Sequence, residues 1–278
     1  MTTSSGGSLF EPAGEGRWVP TELARGPWDP RACHGGPVSA LLARAVEQID
    51  DESAPEVDWH VARLTVELTR PVPVGRPLDL SSVVERGGKR VSLVGAVLTD
   101  DGTEVARVRA LRIRRDEIEL GDDTILPADD RPGPPESGTV QPVVWADEGH
   151  VAFHRDACEH RFVDGGWGPG PATVWITLLT QVVPGEEPSG VQRVAAAADF
   201  GNGVSAGLPQ EFLFINPDLT IHLQRPPAGR WVGLRAESHY GTSGPSLVSC
   251  GTGMAESAVY DEVGRVGRSV QSLLVAHR

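Results

Sequence analysis

Several features are scarce or missing in this 278-residue chain, and each absence narrows what it can be. Cysteine is scarce: Cys33, Cys158 and Cys250 are the only three. An odd, widely spaced set argues against a disulfide framework and for a reducing cytoplasm, where lone cysteines behave as small buried hydrophobes. The opening MTTSSGGSLF has neither the basic start nor the apolar run of a signal peptide. No stretch approaches the ~18 apolar residues that a membrane helix needs. Lysine and arginine form no dense stripe, and the formal charge is −13. Nucleic acid would be repelled, and an anionic substrate would need a local basic patch. The alternation of strands and helices that marks a parallel α/β sheet is also missing. What remains is 39% apolar and 23% charged residues, the composition of a soluble globular protein of one large or two modest domains.

Periodicity supplies the elements. Val38, Leu41, Leu42, Ala45, Val46 and Ile49 form one stripe of an amphipathic helix over 37–49. Pro37 suits its first turn, and Asp50 to Ser53 stop it. Residues 61–69 alternate as a strand, and 78–84, 90–99 and 104–114 read as three more, with Gly87-Gly88 and Asp101-Gly102 as turns. The first segment therefore reads as one long helix followed by about four antiparallel strands. Residues 116–142 are acidic, proline-rich and aperiodic, as expected of a surface linker. Strands are expected again at about 150–164 and 172–180. Residues 190–208 begin as a helix that breaks at Gly201-Asn202-Gly203, and strands follow at 211–223, 231–239, 246–259 and 266–276. The chain also repeats itself. LTVELTRP (64–71) and LTIHLQRP (219–226) agree at five of eight positions, with Leu64 and Leu219 155 residues apart. The same order of turns and strands follows each copy, so two copies of a helix-plus-antiparallel-sheet unit are expected.

These residues resemble a family. A helix begun through Gly35-Gly36, a strand ending in Arg-Pro in both halves, and Gln271 in the last strand are similar to the double hot-dog acyl-CoA thioesterases, and most of all to the acyl-CoA thioesterase II-like (TesB-like) branch. The resemblance runs from about Gly14 to Arg278. It implies an α+β double hot-dog fold, two helix-plus-antiparallel-sheet units joined into one continuous sheet. The units would be residues 1–116 and 145–278, with 117–144 as linker and the catalytic set in the second unit. It implies hydrolysis of a fatty or related acyl-CoA thioester by water attack, with no cofactor, and it allows a homo-oligomer built through the sheets. In that branch an Asp, a Thr or Ser, and a Gln hold the attacking water. The Asp falls on Asp199, as candidate base, and the Gln on Gln271, as orienter. The hydroxyl position falls on Asn216, a departure: an amide can donate and accept, but it cannot give up a proton as a hydroxyl can. The counterpart of Gln271 in the first repeat is about Ala110, so one half would keep the polar set and the other would be scaffold.

Thioester hydrolysis also needs donors for the developing oxyanion. Gly35-Gly36 and Gly201 to Gly203 are candidates, as unshielded backbone beside helix starts. His34 is a candidate substrate-binding residue, although a helix-cap or packing role suits it at least as well. Three other readings compete. His34-Gly35-Gly36 together with Gly203-Val-Ser205-Ala-Gly207 matches a serine hydrolase, yet a helix pattern, not a strand, precedes Ser205. A hydratase of the same fold would need an Asp…Asn-Pro…His motif, of which only Asn216-Pro217 is present. A non-catalytic acyl-thioester-binding module is the third. His154, Cys158 and His160 lie close in sequence, on an expected strand, but no second ligand cluster completes a metal site. Arg86, Lys89 and Arg90 at a hairpin could meet the phosphates of coenzyme A, or serve as ordinary surface charges.

Overall fold

The computed structural model describes residues 7–52, 54–121, 124–125, 127–143, 149–168, 170–209, 211–244 and 247–277. Residues 1–6, Ser53, Arg278 and the side chain of Cys250, all used in the reading above, lie outside the described residues.

A hairpin of β1 (Phe10–Pro12) and β2 (Arg17–Pro20) precedes helix α1 (Gly35–Glu47). Then come β3 (Trp59–Glu67), β4 (Leu78–Arg86), β5 (Val91–Asp100) and β6 (Thr103–Arg114). The second half starts with α2 (Phe153–Asp156), β7 (Cys158–Asp164) and β8 (Ala172–Leu178), followed by α3 (Gly190–Ala198) and α4 (Gly201–Ser205). It ends with β9 (Phe212–Ile215), β10 (Asp218–Leu223), β11 (Val232–Gly244), β12 (Leu247–Tyr260) and β13 (Arg265–His277). All strands belong to one sheet, ordered β1-β2-β4-β5-β6-β3-β10-β13-β12-β11-β8-β7, with β9 on β13. Each named pair is antiparallel. This is the double hot-dog arrangement.

The repeat meets itself at the centre of the sheet. Thr65 pairs with Thr220, Leu64 with Ile221 and Val66 with Leu219. The threonines occupy the same place in the two copies, and the residues on either side pair crosswise, as a pseudo-two-fold axis through the threonine pair requires. Alternation explains why this join is stable: Leu64, Val66, Leu219 and Ile221 all point inward and are fully buried or nearly so. Helices α1 and α3 pack on each other and on the strands of their own units. They run antiparallel, because the start of α1 touches the end of α3 at Asp199 while Ser189, at the start of α3, hydrogen-bonds Glu47 at the end of α1. The alanines of α3 allow a very close approach: a Cβ on Gly36 would lie 2.6 Å from the Ala196 carbonyl oxygen. One continuous apolar core results, with residues from both units.

Some expectations need correction. The sequence reading missed β1 and β2, which are three and four residues long and lie among prolines and glycines that mask any alternation. Helix α1 starts at Gly35, two residues earlier than the apolar stripe suggested. Residues 153–156 are one helical turn, so His154 is not on a strand. The helix does break, but at Asp199-Phe200, and Gly201-Asn202-Gly203 opens a second short helix, α4. The expected strand 211–223 is two strands, β9 and β10, separated by Asn216-Pro217. The Asp101-Gly102 turn is as expected, with positive φ at both residues. Residues 127–143 do not hang free: the Trp175 indole N–H donates to the Gly133 carbonyl, Tyr260 Oη donates to Asp130, and Thr139 bridges to Phe162.

Candidate active site

Asp199 sits at the meeting point of two helix ends. It is the C-terminal cap of α3, where the helix dipole disfavours a carboxylate. It also faces the start of α1, whose N–H groups favour one. Gly35 makes this contact possible, since a Cβ there would lie 2.7 and 2.8 Å from the two carboxylate oxygens. Only 4% of Asp199 is exposed.

Four groups donate to this carboxylate or lie against it. The Asn216 amide donates to Oδ1 at 2.7 Å, and Gln271 Nε2 reaches Oδ1 at 3.4 Å and the Asp199 carbonyl at 3.2 Å. His34 Nδ1 lies 2.8 Å from Oδ2, and the Gly36 N–H completes the set. Burial pushes the Asp199 carboxyl up, but the neighbouring His34, which hydrogen-bonds it, the Asn216 amide and the Gly36 N–H outweigh it. The carboxyl is held below its ordinary value and is charged at neutral pH.

Asn202 was passed over in the sequence as part of a glycine break. Its backbone N–H, at the start of α4, donates to Gln271 Oε1 at 3.1 Å. That fixes which way the Gln271 amide faces: oxygen to α4, nitrogen to Asp199. Its side chain donates to Asn216 Oδ1 at 3.3 Å. Asn216 therefore braces the carboxylate directly, its two N–H bonds shared between Asp199 and the Asp218 carbonyl.

Of the four glycines read as open donors, Gly35 lines the pocket beside Asp199, but Gly36, Gly201 and Gly203 do not. The Gly36 N–H already faces His34 Nδ1 at 3.1 Å and the Asp199 carboxylate. Gly201 lets α4 press on the strands, since a Cβ there would lie 3.0 Å from both Gln271 Oε1 and Ser257 Oγ. Gly203 has nothing within 4 Å of a notional Cβ. The pocket holds about 390 Å³. Its walls are Trp28, Val38, Leu68, Val72, Ile215 and Leu274, and its polar end is His34, Asp199, Asn202 and Asn216. Trp28, Ile215 and Leu274 keep more than a third of their surface exposed and form an apolar rim.

The competing sites do not assemble. Ser205 is buried within α4 and donates back to the Gly201 carbonyl at 2.7 Å, with Ser238 Oγ at 2.8 Å. It is not on a strand-to-helix turn. Among the described residues no three His, Cys, Asp or Glu are grouped as a metal would require. Arg86, Lys89 and Arg90 lie outside the pocket.

Residues 24–113 match the acyl-CoA thioesterase N-terminal domain, and residues 125–275 match the acyl-CoA thioesterase C-terminal domain. The chain belongs to the acyl-CoA thioesterase family. No curated protein sequence matches it. Among solved structures it is similar to a protein assigned as a thioesterase II in Thermobifida fusca (16% identity, 96% of this chain and 95% of that one, TM-score 0.69). A hot-dog protein from Alicyclobacillus acidocaldarius is also similar (15% identity, 96% of each chain, TM-score 0.67). So is an acyl-CoA thioesterase II from Mycobacterium marinum (14% identity, 97% and 96%, TM-score 0.61). At these identities the likeness establishes the fold.

The pseudo-two-fold axis also accounts for a single polar cluster in a duplicated fold. At the 155-residue offset, His34 corresponds to Ser189, Asn216 to Val61 and Asp199 to Arg44. Val270 pairs with Thr220 and Arg109 pairs with Thr65, so the next residues, Gln271 and Ala110, correspond by register. The second position has no counterpart of the carboxylate, its amide brace or its glutamine.

Proposed function

We propose that this protein hydrolyses a fatty or related acyl-CoA thioester by direct attack of water, at the cluster around Asp199. The observation that carries this reading is a buried carboxylate, held charged by its donors, at the polar end of an otherwise apolar pocket. The pocket suits an acyl chain, and its size falls in the range of small-molecule sites. Asp199 supplies the charge against which water is polarised, with Asn216 and Gln271 holding that carboxylate in place. The Gly35 N–H, beside the carboxylate on the pocket wall, is our choice of donor to the thioester oxygen. We also place the junction of the two units within 117–144; the family matches, which stop at 113 and resume at 125, support that position.

The decisive experiment is a panel of acyl-CoA esters of graded length, with free thiol release and binding measured in parallel. Turnover of at least one ester, lost in Asp199→Ala, is the expected result. Tight binding of the esters with no thiol released would make the protein an acyl-thioester-binding module instead.

A further inference from the structure

We infer that His34, with Asp199 as its orienting partner, is the group that takes the proton from the attacking water. The inference rests on the thioesterase reading and changes the part given to Asp199.

It begins with a proton that must be placed. His34 Nδ1 is 2.8 Å from Asp199 Oδ2, and the Gly36 N–H also points at Nδ1 from 3.1 Å. The nitrogen cannot serve both, since accepting from Gly36 needs its lone pair and donating to Asp199 needs its proton. A bare nitrogen facing a charged carboxylate at 2.8 Å would be repulsive, whereas N–H···O⁻ is a strong charge-assisted bond at that distance. Gly36 has an alternative acceptor in Asp199 itself. Nδ1 therefore carries the proton. The lone pair is on Nε2, at the other side of a ring that lines the pocket with 13% of its side chain exposed. Asp199, by contrast, accepts from several donors at once and has little left to offer as a base. A carboxylate fixing an imidazole through Nδ1 so that Nε2 can act is the logic of a His–Asp pair.

The surroundings hold the ring still. The His34 backbone N–H donates to the Ala24 carbonyl at 2.8 Å. Phe153 and Phe200 flank the imidazole at 5.1 and 4.9 Å between centroids. The titratable and charged groups about it are Asp199 from α3, His154 from α2 and His160 from β7, with Asp29 and Arg70 on the pocket wall. Burial pushes His154 down to about 4 and His160 to about 3, with neighbouring histidines adding to both shifts. Both stay neutral, and the ring nitrogens of His154 are buried without a partner. Of these three histidines, only His34 has a carboxylate within ion-pairing distance of a ring nitrogen among the described residues.

The step balances without a co-reactant. Water oxygen bonds to the thioester carbonyl carbon as one water proton passes to Nε2. The tetrahedral intermediate then collapses, the C–S bond breaks, and the departing sulfur takes the proton back from Nε2. The products are the carboxylic acid and the free thiol.

Three variants test this: His34→Ala, His34→Asn and Asp199→Asn. Asparagine is a strong helix N-cap, so His34→Asn keeps the start of α1 while removing the imidazole. The expected result is a kcat loss of roughly 10²–10⁴-fold in both His34 variants, with KM little changed and melting curves close to wild type. A fall of kcat/KM at low pH is expected in wild type and should be absent from the His34 variants, and added imidazole should restore part of the His34→Ala rate. A low-field proton resonance from Nδ1–H should be present in wild type and absent in His34→Ala and Asp199→Asn, with or without substrate. Near wild-type turnover in His34→Asn would reduce the residue to a helix cap and overturn the inference. A loss that leaves the acid limb in place and is not rescued by imidazole would overturn it too. In either case wild-type hydrolysis leaves the thioesterase reading standing, whereas a wild type inert on the whole acyl-CoA panel removes both.

Discussion

Replacing Gly35 by alanine should separate activity from stability. The new Cβ would sit 2.7 and 2.8 Å from the Asp199 carboxylate oxygens, and ordinary contact begins near 3.4 Å. The carboxylate must retreat by about 0.7 Å (3.4 less 2.7). That movement stretches the bonds at 2.7 Å to Asn216 and 2.8 Å to His34, which are charge-assisted contacts of a class worth ~1.5–3 kcal/mol. Misplacement on the scale of 1 Å costs about 10²-fold in rate, or ~2.7 kcal/mol of barrier. The fold has less to lose. Gly35 is not in the left-handed region, and alanine is the better helix former by up to ~1 kcal/mol. Thiol release from an acyl-CoA ester, measured beside thermal unfolding followed by circular dichroism, reads both quantities. The expected result is a kcat lowered on the order of 10²-fold with the melting temperature within a few degrees of wild type. A folded Gly35→Ala protein with wild-type kcat would show that the position of this carboxylate does not govern the rate.

Gly36→Ala should behave in the opposite way: its Cβ would meet the Ala196 carbonyl at 2.6 Å and Phe153 at 2.9 Å, and the backbone of α3 cannot swing aside. An overpacking loss of ~1–3 kcal/mol is expected in a urea melt, and an unchanged midpoint would contradict the helix packing described above. Ser205→Ala should keep most of its activity, and a fluorophosphonate should leave the wild-type mass unchanged; a covalent adduct on Ser205 would revive the serine-hydrolase reading. Asp199 titrates below its ordinary value in the folded chain, so its contribution to stability is complete above the unfolded carboxylate range and is lost as pH falls from about 5 through the folded value. The stability advantage of wild type over Asp199→Asn should therefore shrink between pH 7 and pH 3 in urea melts, and a constant gap would contradict a depressed carboxyl.

The duplication could be read from the sequence because it is written locally. The LTxxLxRP repeat places one strand in each unit, and its alternating apolar residues require an inward face in both. The helical stripe of α1 was legible for the same reason. That the two copies pair with each other about Thr65 and Thr220 is seen only in the structure. Asp199, Asn216 and Gln271 were reached through resemblance to a family, and the structure brings the three side chains together. What no local pattern carries is contact between distant segments. His34 meets Asp199 only because α1 and α3 pack antiparallel at a distance that Gly36 and the alanines of α3 allow. Asn202 orients Gln271 only because Gly201 lets α4 lie against β13. Gly-Asn-Gly looked like a helix break because glycine is a poor helix former on its own account; burial against the sheet overrides that propensity. The local sequence thus determined the long helix and the main strands, whereas tertiary packing decided the short elements and, by bringing one helix start to another helix end, which of the polar residues form a site.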